Sequence, residues 1–134
     1  MKDKVAANGL TDRILFPGEV PVHEISQWYK TLSLFVAPQR WEGFGLTPLE
    51  AMGCAVPVVA TTVGAFPELV CDQENGKLID PGSVSQMVKA IEQYIEDPAM
   101  TANHSRKALA HVHEHFPIER EARQILEVYE KVQN

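Results

Sequence analysis

The sequence has few of the features that mark secreted, membrane-spanning or metal-binding proteins. Only two of its 134 residues are cysteines, and Cys54 and Cys71 fit neither a metal motif nor a disulfide framework. No apolar run is long enough to span a bilayer, and the Met1-Lys2-Asp3-Lys4 start lacks the character of a signal peptide. We therefore expect a cytoplasmic protein with at most peripheral contact at the inner membrane face.

Positive charge is also scarce. Twelve lysines and arginines against eighteen aspartates and glutamates give a formal net charge of −6. Nucleic acids and anionic membrane surfaces both favour a basic protein face, so neither is an expected partner. The length and the ordinary apolar fraction of 45% predict one soluble globular domain over residues 1–134.

The first half of the chain alternates short apolar runs with helical patterns, which predicts an α/β fold. The strand candidates are Arg13 to Phe16, Leu34 to Ala37, Pro57 to Thr61 and Gly76 to Asp80. A helix is expected from about Leu46 to Gly53. Strands of nearly continuous apolar character, separated by helices, predict a parallel sheet covered on both faces.

The second half of the chain reads as helical. Ser83 followed by Gln86 predicts a capping box, and Asp97-Pro98 predicts a second helix start. Pro117 opens a last helix, and its apolar stripe comprises Ile118, Ala122, Ile125, Leu126 and Tyr129.

The most informative stretch runs from Glu42 to Glu50, with glycines at positions 43 and 45 between the two carboxylates. It follows a predicted strand and begins a predicted helix, so it lies at the sheet edge where ligands bind in open parallel sheets. The first N–H groups of a helix can hold an anion, and carboxylates accept hydrogen bonds from hydroxyls. Phosphate and hydroxyls together describe a nucleotide-sugar.

This stretch, with its continuation through Thr61, resembles the glutamate-seven-residues-glutamate signature of retaining glycosyltransferases with the GT-B fold (group 1, family 4 type). The likeness runs without a gap from Pro38 to Thr61, and more loosely over most of the chain. It implies an incomplete C-terminal donor domain: a Rossmann-like parallel sheet with flanking helices and a helical C-terminal tail. The N-terminal acceptor domain and the first donor-domain strands are expected to lie outside this chain.

The resemblance also implies roles for single residues. Glu50 matches the glutamate that holds the nucleotide ribose, and Glu42 matches the glutamate that contacts donor-sugar hydroxyls, which makes it the catalytic candidate. Gly64 matches a loop beside the nucleotide pocket. The expected binding group at the helix start is Gly43, Phe44, Gly45, Leu46 and Thr47.

The implied reaction is retaining transfer of a hexose from a nucleotide-sugar to a glycan or lipopolysaccharide-type, lipid-linked acceptor. GDP-mannose is the favoured donor, because the run from Pro38 to Glu42 looks like that of bacterial lipopolysaccharide-core mannosyltransferases; a UDP-sugar is the alternative. No cofactor and no metal are expected. The family's Gly-Arg…Lys-Gly segment, which neutralises the leaving diphosphate, is absent, so this chain alone is expected to be inactive.

Other interpretations stay open. The chain could be a non-catalytic nucleotide-binding module, an assembly module that pairs with a missing N-terminal domain or a second copy, or part of a nucleotide-sugar epimerase of the same fold. Ala55 stands where a glycine often closes the motif helix, so that helix is expected to end differently. Trp28 and Tyr29 are interpreted as core and rim of a helix, and His111 with His115 as one face of a solvated helix end.

Overall fold

The computed structural model describes residues 1–133, which form a three-stranded sheet surrounded by helices. The strands are β1 (Phe35–Ala37), β2 (Val58–Thr61) and β3 (Gly76–Ile79). The helices are α1 (Lys2–Ala7), α2 (Ile25–Lys30), α3 (Leu46–Gly53), α4 (Phe66–Leu69), α5 (Val84–Glu96), α6 (Pro98–His115) and α7 (Ile118–Gln133), and a 3₁₀ turn, Val22–Glu24, precedes α2.

The sheet is parallel, with strand order β1-β2-β3. Strand β2 pairs on both edges, and all four of its residues are buried. Its side chains alternate between two clusters: Val58 and Ala60 pack with residues of α3, α4 and α6, whereas Val59 packs with residues of β3 and α5. The predicted parallel α/β sheet covered on both faces is therefore confirmed.

The prediction of a strand at Arg13 to Phe16 was wrong. These residues carry no strand pairing, and the side chain of Leu15 is 84% exposed. A strand needs a neighbour with which to exchange backbone hydrogen bonds, and no strand within residues 1–133 pairs with this segment. The sheet accordingly has three strands rather than four.

The predicted stripe of α7 is present but not covered by the rest of the domain. Ile118, Ile125, Leu126 and Tyr129 are between 48% and 73% exposed. The apolar spacing predicted this helix correctly. An amphipathic period indicates a helix whether or not its apolar face is packed.

The predicted capping box before α5 forms only in part. The Ser83 hydroxyl accepts a hydrogen bond from the Gln86 N–H, as expected. The Gln86 side chain, however, does not return to the Ser83 N–H. It instead bonds Asp80, accepting from its N–H at 2.7 Å and donating to its carboxylate at 2.8 Å. Gln86 thus ties α5 to the end of β3.

The expectation that α3 ends differently without a glycine was wrong. Ala55 adopts the left-handed conformation, with φ of +60°. The Ala55 N–H bonds the Met52 carbonyl and the Val56 N–H bonds the Ala51 carbonyl, which is the Schellman pattern. The buried contacts of Ala51 and Val56 in one core cluster hold the chain in this turn despite the cost of a Cβ there.

We predict that Ala55→Gly raises the free energy of unfolding by about 0.5–1 kcal/mol, because glycine relieves the left-handed strain and offsets the greater freedom of the unfolded chain. Urea unfolding would measure the change. Ala102→Gly is the matched control: it lies in the exposed interior of α6 and should lose about 1 kcal/mol. A loss of stability in both variants would contradict the strain at Ala55.

A polar cluster is buried between β3, α5 and α6. His104 is 3% exposed, and its Nδ1 lies 2.8 Å from the Tyr94 hydroxyl. The Lys77 ammonium group donates to the side-chain oxygens of Gln73 and Gln93 at 3.0 and 2.7 Å. Burial, together with the charge of Lys77, lowers the pKa of His104, so the folded protein keeps this imidazole neutral.

We predict that stability falls as the pH is lowered from 7 to 5, because below about 6.5 the unfolded chain protonates His104 while the folded protein resists it. The stability contributed by neutral His104 is complete above about pH 6.5. It decreases as the pH falls below that value and is gone once the pH is below the lower pKa of the folded state. His104→Gln should reduce the difference in unfolding free energy between pH 7 and pH 5, measured in urea. The exposed His113→Gln should leave it unchanged; equal slopes in all three proteins would refute the prediction.

Candidate functional site

The parallel sheet brings the loops that follow β1, β2 and β3 to one edge. Hydrogen bonds join the first two of these loops. The Thr61 hydroxyl, at the end of β2, donates to the Gln39 carbonyl at 2.7 Å, and the Ala65 N–H donates to the Gly43 carbonyl at 3.2 Å. The segment that links β1 to α3 is therefore held by the chain that follows β2.

Gly64 makes the closest approach between these loops. A Cβ at this position would lie 2.2 Å from the Glu42 carbonyl oxygen, and φ is +52°. Both the space and the backbone conformation therefore require glycine. The structure thus brings Gly64 against Glu42, two residues that the sequence assigned to one site.

Helix α3 begins at the same edge with its N-terminus uncapped by any side chain. Its N-cap is Gly45, at φ +90°, where a Cβ would collide with the ring of Phe66. Within residues 1–133, the N–H groups of Leu46 and Thr47 find no hydrogen-bond acceptor. These two donors and the helix dipole give this position the properties of an anion site.

The two carboxylates that flank this helix start have different surroundings. Glu42 is half-buried, and its Oε1 accepts a hydrogen bond from the Gly43 N–H at 2.8 Å. Glu50 is exposed on the next turn of α3, and its Oε2 accepts a hydrogen bond from the Tyr29 hydroxyl at 2.9 Å. The two glutamates therefore lie before and after the helix start along the chain, each with its own hydrogen-bond partner.

The side chains of Phe44 and Leu46 project away from the core, with 53% and 60% of their surface exposed. They line a cleft of about 690 Å³ whose other wall is the start of α7, including Ile118 and Arg120. The predicted binding group therefore presents both free backbone N–H groups and exposed apolar side chains at the start of α3.

Two residues near the site, Tyr29 and Arg40, make long-range contacts that the sequence did not predict. Tyr29 was interpreted as part of the rim of a helix, but its hydroxyl bonds Glu50 across 21 positions of sequence. Arg40 extends across the edge until its guanidinium packs near Gly82, in the loop after β3. The sequence shows only that Tyr29 lies in an amphipathic helix. That pattern does not indicate that its hydroxyl bonds Glu50.

Residues 1–133 contain no group of three or more histidines, cysteines, aspartates or glutamates arranged to hold a metal ion. No helix in that range combines the length and apolar character that crossing a membrane requires. The ring centroids of His111 and His115 lie 4.6 Å apart with their planes tilted by 51°, which agrees with the predicted shared helix face.

The fold and the groups at the carboxyl edge of its sheet define an α/β domain that can hold an anionic ligand carrying hydroxyl groups. The family model for glycosyl transferases group 1 matches residues 1–111, and the chain belongs to this family.

Relatives and solved structures agree with this assignment. The chain is 52% identical to the lipopolysaccharide core biosynthesis mannosyltransferase LpsB of Rhizobium meliloti, over 98% of its own length and 38% of that relative. The crystal structure of the C-terminal domain of LpcC from Francisella tularensis, a group 1 family protein, superposes with a TM-score of 0.81 at 35% identity, covering 87% of this chain and 60% of that one. The Anabaena protein HepE in complex with UDP-glucose gives 0.91 at 30% identity, covering 97% and 35%.

These likenesses confirm the predicted family and the predicted fold class, a Rossmann-like parallel sheet with flanking helices and a helical tail. The chain spans less than two fifths of the curated relative's length.

We predict that Gly64→Ala lowers the free energy of unfolding by at least about 1 kcal/mol, the cost of a left-handed alanine before the collision with Glu42 is added. Gly43→Ala is the matched control, because a Cβ there meets no atom within 4 Å. Its effect should stay within about 0.5 kcal/mol. Equal effects of the two substitutions in urea unfolding would show that the two loops do not approach as described.

Proposed function

We propose that this chain forms the nucleotide-sugar-binding part of a retaining glycosyltransferase. The uncapped start of α3 between Glu42 and Glu50 carries the proposal, because it offers anion-binding N–H groups with a hydroxyl-binding carboxylate on each side. A nucleotide-sugar needs both kinds of contact.

The proposed pose follows the order of these groups. The diphosphate lies against the N–H groups of Leu46 and Thr47, with the neighbouring backbone from Gly43 to Gly45 around it. The ribose reaches Glu50, one turn further along α3. Glu42, on the loop side, faces the donor sugar and is the proposed catalytic residue, and Gly64 keeps the second loop close enough to support it.

For the donor we favour GDP-mannose, with a UDP-sugar as the alternative. The likeness to LpsB, a mannosyltransferase of lipopolysaccharide core biosynthesis, supports mannose and an acceptor of the glycan or lipopolysaccharide type. HepE binds UDP-glucose, which supports the alternative base. We propose that binding needs no metal, since backbone N–H groups and cationic side chains can balance a diphosphate.

We propose that this domain is catalytically active only when another domain or chain contacts it. Strand β1 pairs with β2 on one edge only, and no other strand in the described range covers its second edge. The residues ahead of it, including Leu15 and Trp28, leave apolar surface exposed. We propose that the acceptor domain and the first donor-domain strands of a longer protein, or a second copy of the chain, contact this side, and that the chain alone is inactive. The domain limits 1–134 remain a prediction.

We also propose a cytoplasmic location, with at most peripheral contact at the membrane. Both cysteines are free thiols, which suits a reducing compartment.

The second candidate is a non-catalytic nucleotide-binding or assembly module. The unpaired edge of β1 is the observation that favours it, because such an edge invites another chain. An epimerase of the same fold would use the same anion site.

We predict that GDP at millimolar concentration raises the melting temperature of the chain, that UDP or ADP raises it less, and that Glu50→Ala removes most of the shift. A ligand that binds only the folded state stabilises it in proportion to the logarithm of its concentration over Kd. Differential scanning fluorimetry measures the shift. Glu92→Ala, an exposed glutamate of α5, is the matched control and should respond like the parent chain.

Two results would count against the proposal. The absence of any shift with all three nucleotides would leave the assembly module as the better interpretation. An unchanged shift in Glu50→Ala would remove the ribose contact.

A further inference from the structure

The hydrogen bond between Tyr29 and Glu50 joins two helices at the edge of the proposed donor site. The Tyr29 hydroxyl on α2 donates to Oε2 of Glu50 on α3 at 2.9 Å. Glu50 is exposed, and its carboxylate has no other hydrogen-bond or ion-pair partner in residues 1–133. A glutamate on a helix surface has three rotatable bonds, and this hydrogen bond restricts where its carboxylate points.

Tyr29 is itself held in place. Its ring is half-buried and packs edge-to-face on Phe35 of β1, with the ring centroids 5.8 Å apart. It also borders the core cluster that contains Met52 of α3. Burial, followed by the bond to Glu50, raises the pKa of the Tyr29 hydroxyl, so this group stays protonated and remains a donor at neutral pH.

The bond leaves most of the carboxylate available to a ligand. A carboxylate has about four acceptor positions on its two oxygens, and Tyr29 uses one of them. Oε1 and the second lone pair of Oε2 can still accept two hydroxyl hydrogens. Two neighbouring hydroxyls are the feature that distinguishes a ribose from a deoxyribose.

We propose that Tyr29 is a positioning residue that orients Glu50 to accept both hydroxyls of the donor's ribose, and that it thereby sets the preference for ribonucleotides. This inference rests on the proposed function, since it requires Glu50 to contact the ribose. In this role Tyr29 touches no reacting atom. It acts through Glu50, by fixing the carboxylate before the ligand arrives.

The test is the affinity of the chain for GDP, UDP and their 2′,3′-dideoxy counterparts, measured by isothermal titration calorimetry. Tyr29→Phe keeps the ring and its packing and removes only the hydroxyl. It should weaken ribonucleotide binding by about tenfold, the scale of a hydrogen bond to a charged group. It should leave the affinity for the dideoxynucleotides unchanged, because these ligands have no hydroxyl for Glu50 to accept.

Two further variants separate positioning from general damage. Tyr129→Phe removes an exposed hydroxyl on α7 and should bind every nucleotide like the parent chain. The double variant Tyr29→Phe with Glu50→Ala should bind like Glu50→Ala alone, because the hydroxyl then has no carboxylate to orient. An equal loss for ribo- and dideoxynucleotides in Tyr29→Phe would mean a structural role and would overturn the inference.

The remaining outcomes distinguish this inference from the proposed function. If the parent chain prefers ribonucleotides and Tyr29→Phe keeps the full preference, the role of Tyr29 is wrong and the donor site stands. If the parent chain binds ribo- and dideoxynucleotides equally, the ribose contact of Glu50 is wrong, and the role of Tyr29 falls with it. If the parent chain binds neither GDP nor UDP, the proposed function itself is overturned, and the inference about Tyr29 with it.

Discussion

The parallel pairing of β2 with both of its neighbours is the constraint on which the rest of this structure depends. Because β1 and β3 run in the same direction as β2, all three strands deliver their following loops to one edge. The burial of all four β2 residues fixes that arrangement, and the bond from Thr61 to the Gln39 carbonyl extends it beyond the strand ends. The start of α3 therefore lies at this edge, where the loop after β2 holds the loop after β1 by hydrogen bonds.

The proposed donor site is built largely from backbone, and this makes two glycines decisive. Gly45 and Gly64 each occupy a position where a side chain would strike a neighbour and where φ is positive. Their small size lets Phe66 and the Glu42 carbonyl approach, and those contacts set the path of the loop before α3. Glu42 and Glu50 can consequently differ in role, since one is held by its own loop and the other by a neighbouring helix.

Several apolar surfaces of the chain have no partner within residues 1–133. They include the stripe of α7 with Ile125 and Leu126 and the exposed side chains of Leu15 and Trp28. The second edge of β1, which presents unpaired backbone N–H and C=O groups, is also uncovered within that range. The cleft between Phe44 and Ile118 joins the α7 surface to the start of α3. A partner that covered the α7 surface would therefore lie beside the proposed donor site.

The sequence by itself determined the α/β class, the three strands of the sheet, the bounds of α3 and the caps at Ser83 and Asp97, because hydrophobic period and capping chemistry are local properties. Only the tertiary structure decided that Arg13 to Phe16 is not a strand, since a strand exists through its neighbours. The left-handed Ala55 and the bond from Tyr29 to Glu50 likewise depend on packing between distant segments. Local pattern specifies what each segment can form, and long-range contact selects what it does form.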